Sequence, residues 1–203
     1  VKLADNHKIK MLGMISGVPP WASGKAGPTY PPADLEDFKV YLRVLVSRYP
    51  QVRVWEIWNE PDITKFWKGT SHDYFMLLKT AYETIKGIDP SLKIVSAGLD
   101  GNGEKYLVEL LDLGFQQYFD IAAFHPYAKT PEESLQRVKT FKEIMKKHGV
   151  DKPLWITEIG WQTGGWPAGP GVVKDEATQA LYLEKVLPML APYSEVIFWY
   201  RGV

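Results

Sequence analysis

The chain has 203 residues, and its 24 basic and 24 acidic side chains leave no net charge. A balanced charge supplies no field to draw nucleic acid or an anionic membrane surface, so neither is expected as a partner. Cysteine is absent, which excludes disulfides, thiolate catalysis and zinc–sulfur sites, and no apolar stretch approaches the ~20 residues of a membrane span.

The start, Val1-Lys2-Leu3-Ala4-Asp5-Asn6, has the form of neither a signal peptide nor an initiator. It reads as an internal cut, so a secreted or periplasmic location is compatible with the chain although no leader is present. Short apolar runs then predict strands buried on both faces at Ile9–Ile15, Val52–Trp58, Lys93–Leu99, Ile121–Tyr127, Leu154–Gly160 and Val196–Arg201. Helical spacing of apolar residues fills the gaps between them. Asp34–Arg48 carries Leu35, Phe38, Leu42, Leu45 and Val46, and Asp73–Ile88 carries Phe75, Leu78, Tyr82 and Ile85. Glu104–Leu113 is shorter. Thr130-Pro131-Glu132-Glu133 predicts a capping box with proline at the first helical position, ahead of the stripe Leu135, Val138, Phe141 and Met145. A last helix begins near Asp175 and runs toward Pro192.

Strand and helix alternating throughout mean parallel strands with right-handed crossovers. Units of roughly thirty to forty residues suit a single α/β domain over 1–203 of the (β/α)8 TIM-barrel type. In such barrels chemistry sits at the C-terminal strand ends, and the unusual polar and aromatic residues collect there. They are Pro19-Pro20-Trp21, Asn59-Glu60-Pro61, Leu99-Asp100, His125-Pro126-Tyr127, Glu158-Ile159-Gly160-Trp161 and Trp199-Tyr200-Arg201.

Glu60 and Glu158 each end an apolar strand, and both are embedded in tryptophan. Two nearby carboxyl groups, one protonated and one ionised, are the apparatus for cleaving a glycosidic bond. Pro61 stops the first strand and Gly160 lets the second turn away. An acid needs the raised pKa that aromatic, poorly solvated surroundings supply, and Trp58 fits that need. A nucleophile needs hydrogen-bond donors, and the phenol of Tyr127 is a candidate. Glu56, inside the first of these strands, is expected to be a buried structural charge. Trp21, Trp58, Trp161, Trp166 and Trp199 fall at strand ends or in loops and are expected to line a sugar groove more than to fill a core.

Trp58-Asn59-Glu60-Pro61 and Thr157-Glu158-Ile159-Gly160-Trp161 resemble the acid/base and nucleophile motifs of the clan A glycoside hydrolases. Pro19-Pro20-Trp21-Ala22-Ser23, Phe124-His125-Pro126-Tyr127 and Phe198-Trp199-Tyr200-Arg201 narrow the resemblance to family 39. The resemblance implies a retaining β-glycoside hydrolase with Glu60 as acid/base and Glu158 as nucleophile. It also implies Asn59 on the sugar 2-hydroxyl, His125 and Tyr127 beside the carboxylates, and Trp199 beneath the sugar. Trp21 and Trp161 join these as expected substrate contacts. Neither a metal nor a cofactor is expected, and the substrate would be a neutral β-linked oligo- or polysaccharide.

Aligned on the resemblance, the first strand corresponds to the family's third and the last to its eighth. The chain is therefore expected to be a barrel truncated to about six βα units, without the arginine that the clan places near the nucleophile. Open barrel edges would then invite a homo-oligomer. A weakly active or inactive fragment that only binds carbohydrate is the alternative. A phosphate-binding barrel is disfavoured, because Gly101-Asn102-Gly103-Glu104 lacks the lysine and longer glycine pattern of a phosphate loop. Gly164–Gly171 reads as a mobile loop over the site.

Overall fold

Strands and helices alternate along the chain, as the apolar runs and helical stripes predict. The computed structural model describes residues 1–24, 27–163 and 170–200. Its elements are α1 (Lys2–Asn6), β1 (Leu12–Ile15), α2 (Leu35–Arg48), β2 (Val54–Ile57), α3 (Ser71–Ile88), β3 (Lys93–Val95) and α4 (Gly103–Asp112). They continue with β4 (Ala122–Phe124), α5 (Pro131–Lys147), β5 (Leu154–Ile159), β6 (Gln162–Thr163), β7 (Val172–Val173), α6 (Glu176–Leu190) and β8 (Val196–Trp199). The hydrogen-bonded strands are shorter than the apolar runs that predict them. Arg201 and the segment 164–169, with Trp166 and most of the expected mobile loop, lie outside the described residues. Among the described residues no helix is long and apolar enough to cross a membrane.

The chain divides into two compact units, Val1–Ala97 with Glu109–Ile121 and Gly98–Val108 with Ala122–Val203. The first holds a parallel sheet of order β1-β2-β3, in register from Leu12↔Val54 to Ile15↔Ile57 and from Val54↔Lys93 to Glu56↔Val95. Leu42 and Val46 of α2 and Tyr74, Leu77, Leu78, Ala81 and Ile85 of α3 are buried, and the two helices pack on each other. Lys86 donates to Asp120 at 3.0 Å, and the other oxygen of that carboxylate accepts the Ile94 N–H at 2.8 Å, tying α3 to the entry of β3.

The second unit holds a parallel sheet of order β4-β5-β8. Its interior is apolar, with Phe124 stacked on Phe141 at 4.4 Å and Val138, Leu154, Ile156 and Ile159 fully or almost fully buried. Continuous burial of this kind is why these strands read as unbroken apolar runs.

Helix starts follow their capping residues, with one exchange. Thr130 accepts the Glu133 N–H at 3.2 Å, but the Glu133 carboxylate accepts from Lys129 instead of Thr130, so the expected box is only half made. The reciprocal box forms at α3, where Thr70 and Asp73 each accept the other's backbone N–H. The shorter aspartate closes that box on its own N-cap. Three elements have no counterpart in the sequence pattern: α1, a 3₁₀ turn at Phe115–Tyr118, and the β6–β7 pair.

Candidate functional site

In the first unit, the β2–β3 ladder ends at Glu56↔Val95, and the backbone beyond it is strained. Trp58 and Glu60 have φ of 77° and 45°, left-handed values that cost ~1–3 kcal/mol each in a non-glycine residue. Such a conformation persists only where its neighbours over-determine it. The Trp58 N–H donates to the Ile15 carbonyl at 2.8 Å, and its indole N–H donates to the Phe66 carbonyl at 3.1 Å. Its ring meets Trp67 edge-on, with centroids 4.8 Å apart.

The turn leaves Glu60 only 6% exposed. Burial pushes its carboxyl from the ordinary 4.5 up to about 7, against a smaller opposing pull from the Lys65 charge. Near neutral pH this group therefore holds a proton for much of the time and can both give and take one. Asn59 between the two strained residues is half-buried, and its Oδ1 finds no hydrogen-bond partner among the described residues. Glu56 is fully buried inside β2, as expected of a structural charge. Trp58 departs from expectation. At 3% exposure it braces the turn from beneath and presents no face to a sugar.

In the second unit, Glu158 also sits at a break in pairing. Ile156 pairs with Ile197, but Ile159 pairs with Trp199, so β5 carries one residue more than β8 across the interval. A bulge of this kind re-aims side chains next to it, and Glu158 is left half-exposed between buried Thr157 and Ile159. The Tyr127 O–H donates to Glu158 Oε2 at 3.2 Å. Tyr127 is itself held by its N–H on the His125 carbonyl at 2.9 Å and by Arg137, which donates to its carbonyl at 2.8 Å. Arg137 also binds Asp100 and Glu104, which together hold its guanidinium charged despite burial.

His125 does not reach the surface. It is 0% exposed, and its Nε2 lies 2.9 Å from Thr157 Oγ1, one residue before Glu158. The expected sugar contact is thus corrected to a buried link between β4 and β5. Gly98 makes room for that ring, since a Cβ there would overlap the imidazole. Gly160 likewise serves close approach and not a turn, because a Cβ would overlap the Tyr200 carbonyl.

Trp161 requires the same correction. It is 1% exposed, its indole N–H donates to the Ala128 carbonyl at 2.9 Å, and its ring packs edge-on against Tyr182 at 5.1 Å. Trp199, half-buried at the end of β8, lies 6.0 Å from the Trp161 ring, so Trp161 backs it. Trp21 is the opposite case. It is 71% exposed on the loop after β1, beside a cavity of about 150 Å³ shared with Phe38 and Tyr41. Sequence reasoning missed Thr157, Arg137, Trp67 and Tyr74. A polar-tipped aromatic on the buried stripe of α3 is the one signal that could have found Tyr74.

The profile of Glycosyl hydrolases family 39 matches residues 32–198, a span that includes both glutamate motifs. A β-xylosidase of Geobacillus stearothermophilus is 26% identical over 79% of this chain and 37% of its own length. One from Caldicellulosiruptor saccharolyticus is 40% identical over 73 residues, 32% of this chain and 15% of its own. Among solved structures, a glucosidase from Croceicoccus marinus superposes with a TM-score of 0.79 over 99% of this chain and 44% of that one, at 18% identity. A family 39 glycoside hydrolase from Bacteroides cellulosilyticus gives 0.76 over 98% and 44%, at 22% identity. The chain spans well under half the length of these relatives, and its fold is of their TIM-barrel type. With the profile match covering most of its length, the chain belongs to glycosyl hydrolases family 39.

Proposed function

We propose that the chain, acting as one catalytic domain of about six βα units, hydrolyses a neutral β-linked oligo- or polysaccharide with retention, by double displacement. The observation that carries this reading is the contrast between its two glutamates. Glu60 is buried and its carboxyl is raised to about 7, whereas Glu158 is half-exposed and accepts the Tyr127 O–H at 3.2 Å. Glu60 protonates the glycosidic oxygen as the Glu158 carboxylate attacks the anomeric carbon, giving a glycosyl ester and a free alcohol. The Glu60 carboxylate then takes a proton from water, whose oxygen displaces Glu158 and restores both groups. The Asn59 amide, with an acceptor to spare, suits the sugar 2-hydroxyl. The β-xylosidase activity of the two sequence relatives supports a neutral substrate.

A second reading is that the chain binds carbohydrate with little turnover. A panel of nitrophenyl glycosides and polysaccharides, run beside Glu158→Gln, separates the two. Turnover lost in the variant supports hydrolysis, and binding without turnover in both supports the second. The proposal extends to self-association. β1 and β8 end their strand orders, and Met14 and Phe198 on them are exposed.

Trp199 is assigned to the floor beneath the sugar. Aromatic stacking contributes about 0.5–1.5 kcal/mol beyond area burial, so Trp199→Ala should weaken glycan retardation in affinity electrophoresis and leave the melting temperature nearly intact. A large loss of melting temperature with unchanged retardation would return the ring to the core.

A further inference from the structure

Tyr74 occupies the place of ladder bonds that β2 and β3 do not make. Their pairing runs Val54↔Lys93, Trp55↔Ile94, Glu56↔Val95 and stops. One residue further along β2, the Ile57 carbonyl accepts the Tyr74 O–H at 3.1 Å. Two residues past the end of β3, the Ala97 N–H donates to the same phenol oxygen at 2.6 Å. The side chain is fully buried. One hydroxyl thus joins a donor and an acceptor on two backbones that part by about its own width. A buried backbone group left without a partner costs about 1–3 kcal/mol, so this substitution for a ladder bond has consequences.

The parting begins where the strained turn begins. Ile57 precedes Trp58, the first left-handed residue, and Glu60 is the second. Trp67 stands edge-on to the Tyr74 ring at 6.4 Å and to Trp58 at 4.8 Å, and its N–H is fixed on the Thr70 carbonyl at 3.0 Å. Thr70 caps α3 through its reciprocal bonds with Asp73. Trp67 is therefore the hub from helix start to strained turn, bonded to Thr70 and packed on both Tyr74 and Trp58. A phenylalanine would fill the same volume, so the hydroxyl is not required for packing.

We infer that Tyr74 is a positioning residue for Glu60, its hydroxyl holding the ends of β2 and β3 apart so that the Trp58–Glu60 turn keeps the carboxyl buried. The inference rests on the reading of Glu60 as acid/base.

Tyr74→Phe removes one oxygen and keeps the ring. With the wedge gone the strand ends close together or admit water, and Glu60 moves toward solvent. In ¹³C NMR of the chain as it stands, the Glu60 carboxyl should titrate about one unit or more lower than in the wild type. Hydrolysis of unactivated glycosides should fall about tenfold or more, and that of nitrophenyl glycosides by about twofold at most, because only the former need a positioned proton. Should that variant unfold, Trp67→Phe loosens the brace without orphaning Ala97 or Ile57, and the same selective loss is expected. An unchanged Glu60 titration, or equal losses on both glycoside classes, overturns the inference. Failure of the acid/base reading is seen separately, as Glu60→Gln retaining full activity on unactivated glycosides, while the NMR titration still reports on the wedge.

Discussion

Glu158→Ala is expected to abolish turnover of every glycoside, whereas Glu60→Ala should spare those with good leaving groups. On the proposed roles no glycosyl ester forms without Glu158, so neither step can proceed whatever the leaving group. Without Glu60 the first step loses only protonation, worth about 10²–10⁴-fold where the leaving group is a poor one. A dinitrophenolate departs unaided, and the ester then accumulates for want of a base. Azide, an anion that needs no deprotonation, should rescue that second step in Glu60→Ala and yield a glycosyl azide. Steady-state rates on paired activated and unactivated substrates, with and without azide, are the measurement. Equal loss on activated and unactivated glycosides in Glu60→Ala would mean that the roles are reversed or misassigned.

Glu60→Gln is expected to stabilise the chain, and by more at pH 8 than at pH 4. The Glu60 carboxyl titrates near 7 when folded because burial disfavours its charge. In the unfolded chain it titrates near the ordinary value. Below about pH 4 both states hold the proton and no linkage cost arises. As pH rises through 7 the folded state must ionise a poorly solvated group, and stability is lost across that window. A shift from 4.5 to about 7 corresponds to at most ~3 kcal/mol. Glutamine, nearly the same size, never bears this cost. Denaturant unfolding of both proteins at a series of pH values checks it. A difference between them that stays constant from pH 4 to pH 8 would show that burial does not perturb this carboxyl.

The strands and helices were legible because parallel strands buried on both faces leave unbroken apolar runs, and Leu42, Leu78, Val138 and Ile156 fall where the periodicity puts them. The ends of those runs were not legible. The β2–β3 ladder stops short of a left-handed turn at Trp58 and Glu60, the β5–β8 ladder is interrupted by a bulge between Ile156 and Ile159, and neither uses the glycine that would announce it. Tryptophan exposure was the other blind spot. Trp21 and Trp161 follow similar strand exits, yet Ala128 and Tyr182, far away in sequence, bury the second, while among the described residues the first stays 71% exposed. His125 was placed near Glu158 by motif alone, but its burial on Thr157 depends on Gly98, which no local pattern connects to it. The β6–β7 pair contributes two residues from each strand, too few for any period to register.

The central claim is that Glu60 and Glu158 work as one retaining pair, and carboxyl separation tests it most directly. A crystal structure of the chain with an unreactive glycoside or a sugar-shaped inhibitor bound should place the two groups about 5–5.5 Å apart, flanking the anomeric carbon. That spacing leaves no room for a water molecule between nucleophile and sugar, so attack must come from Glu158 itself. Carboxyls beyond about 9 Å, or on different sides of the bound sugar from those that in-line attack and protonation require, would contradict the account.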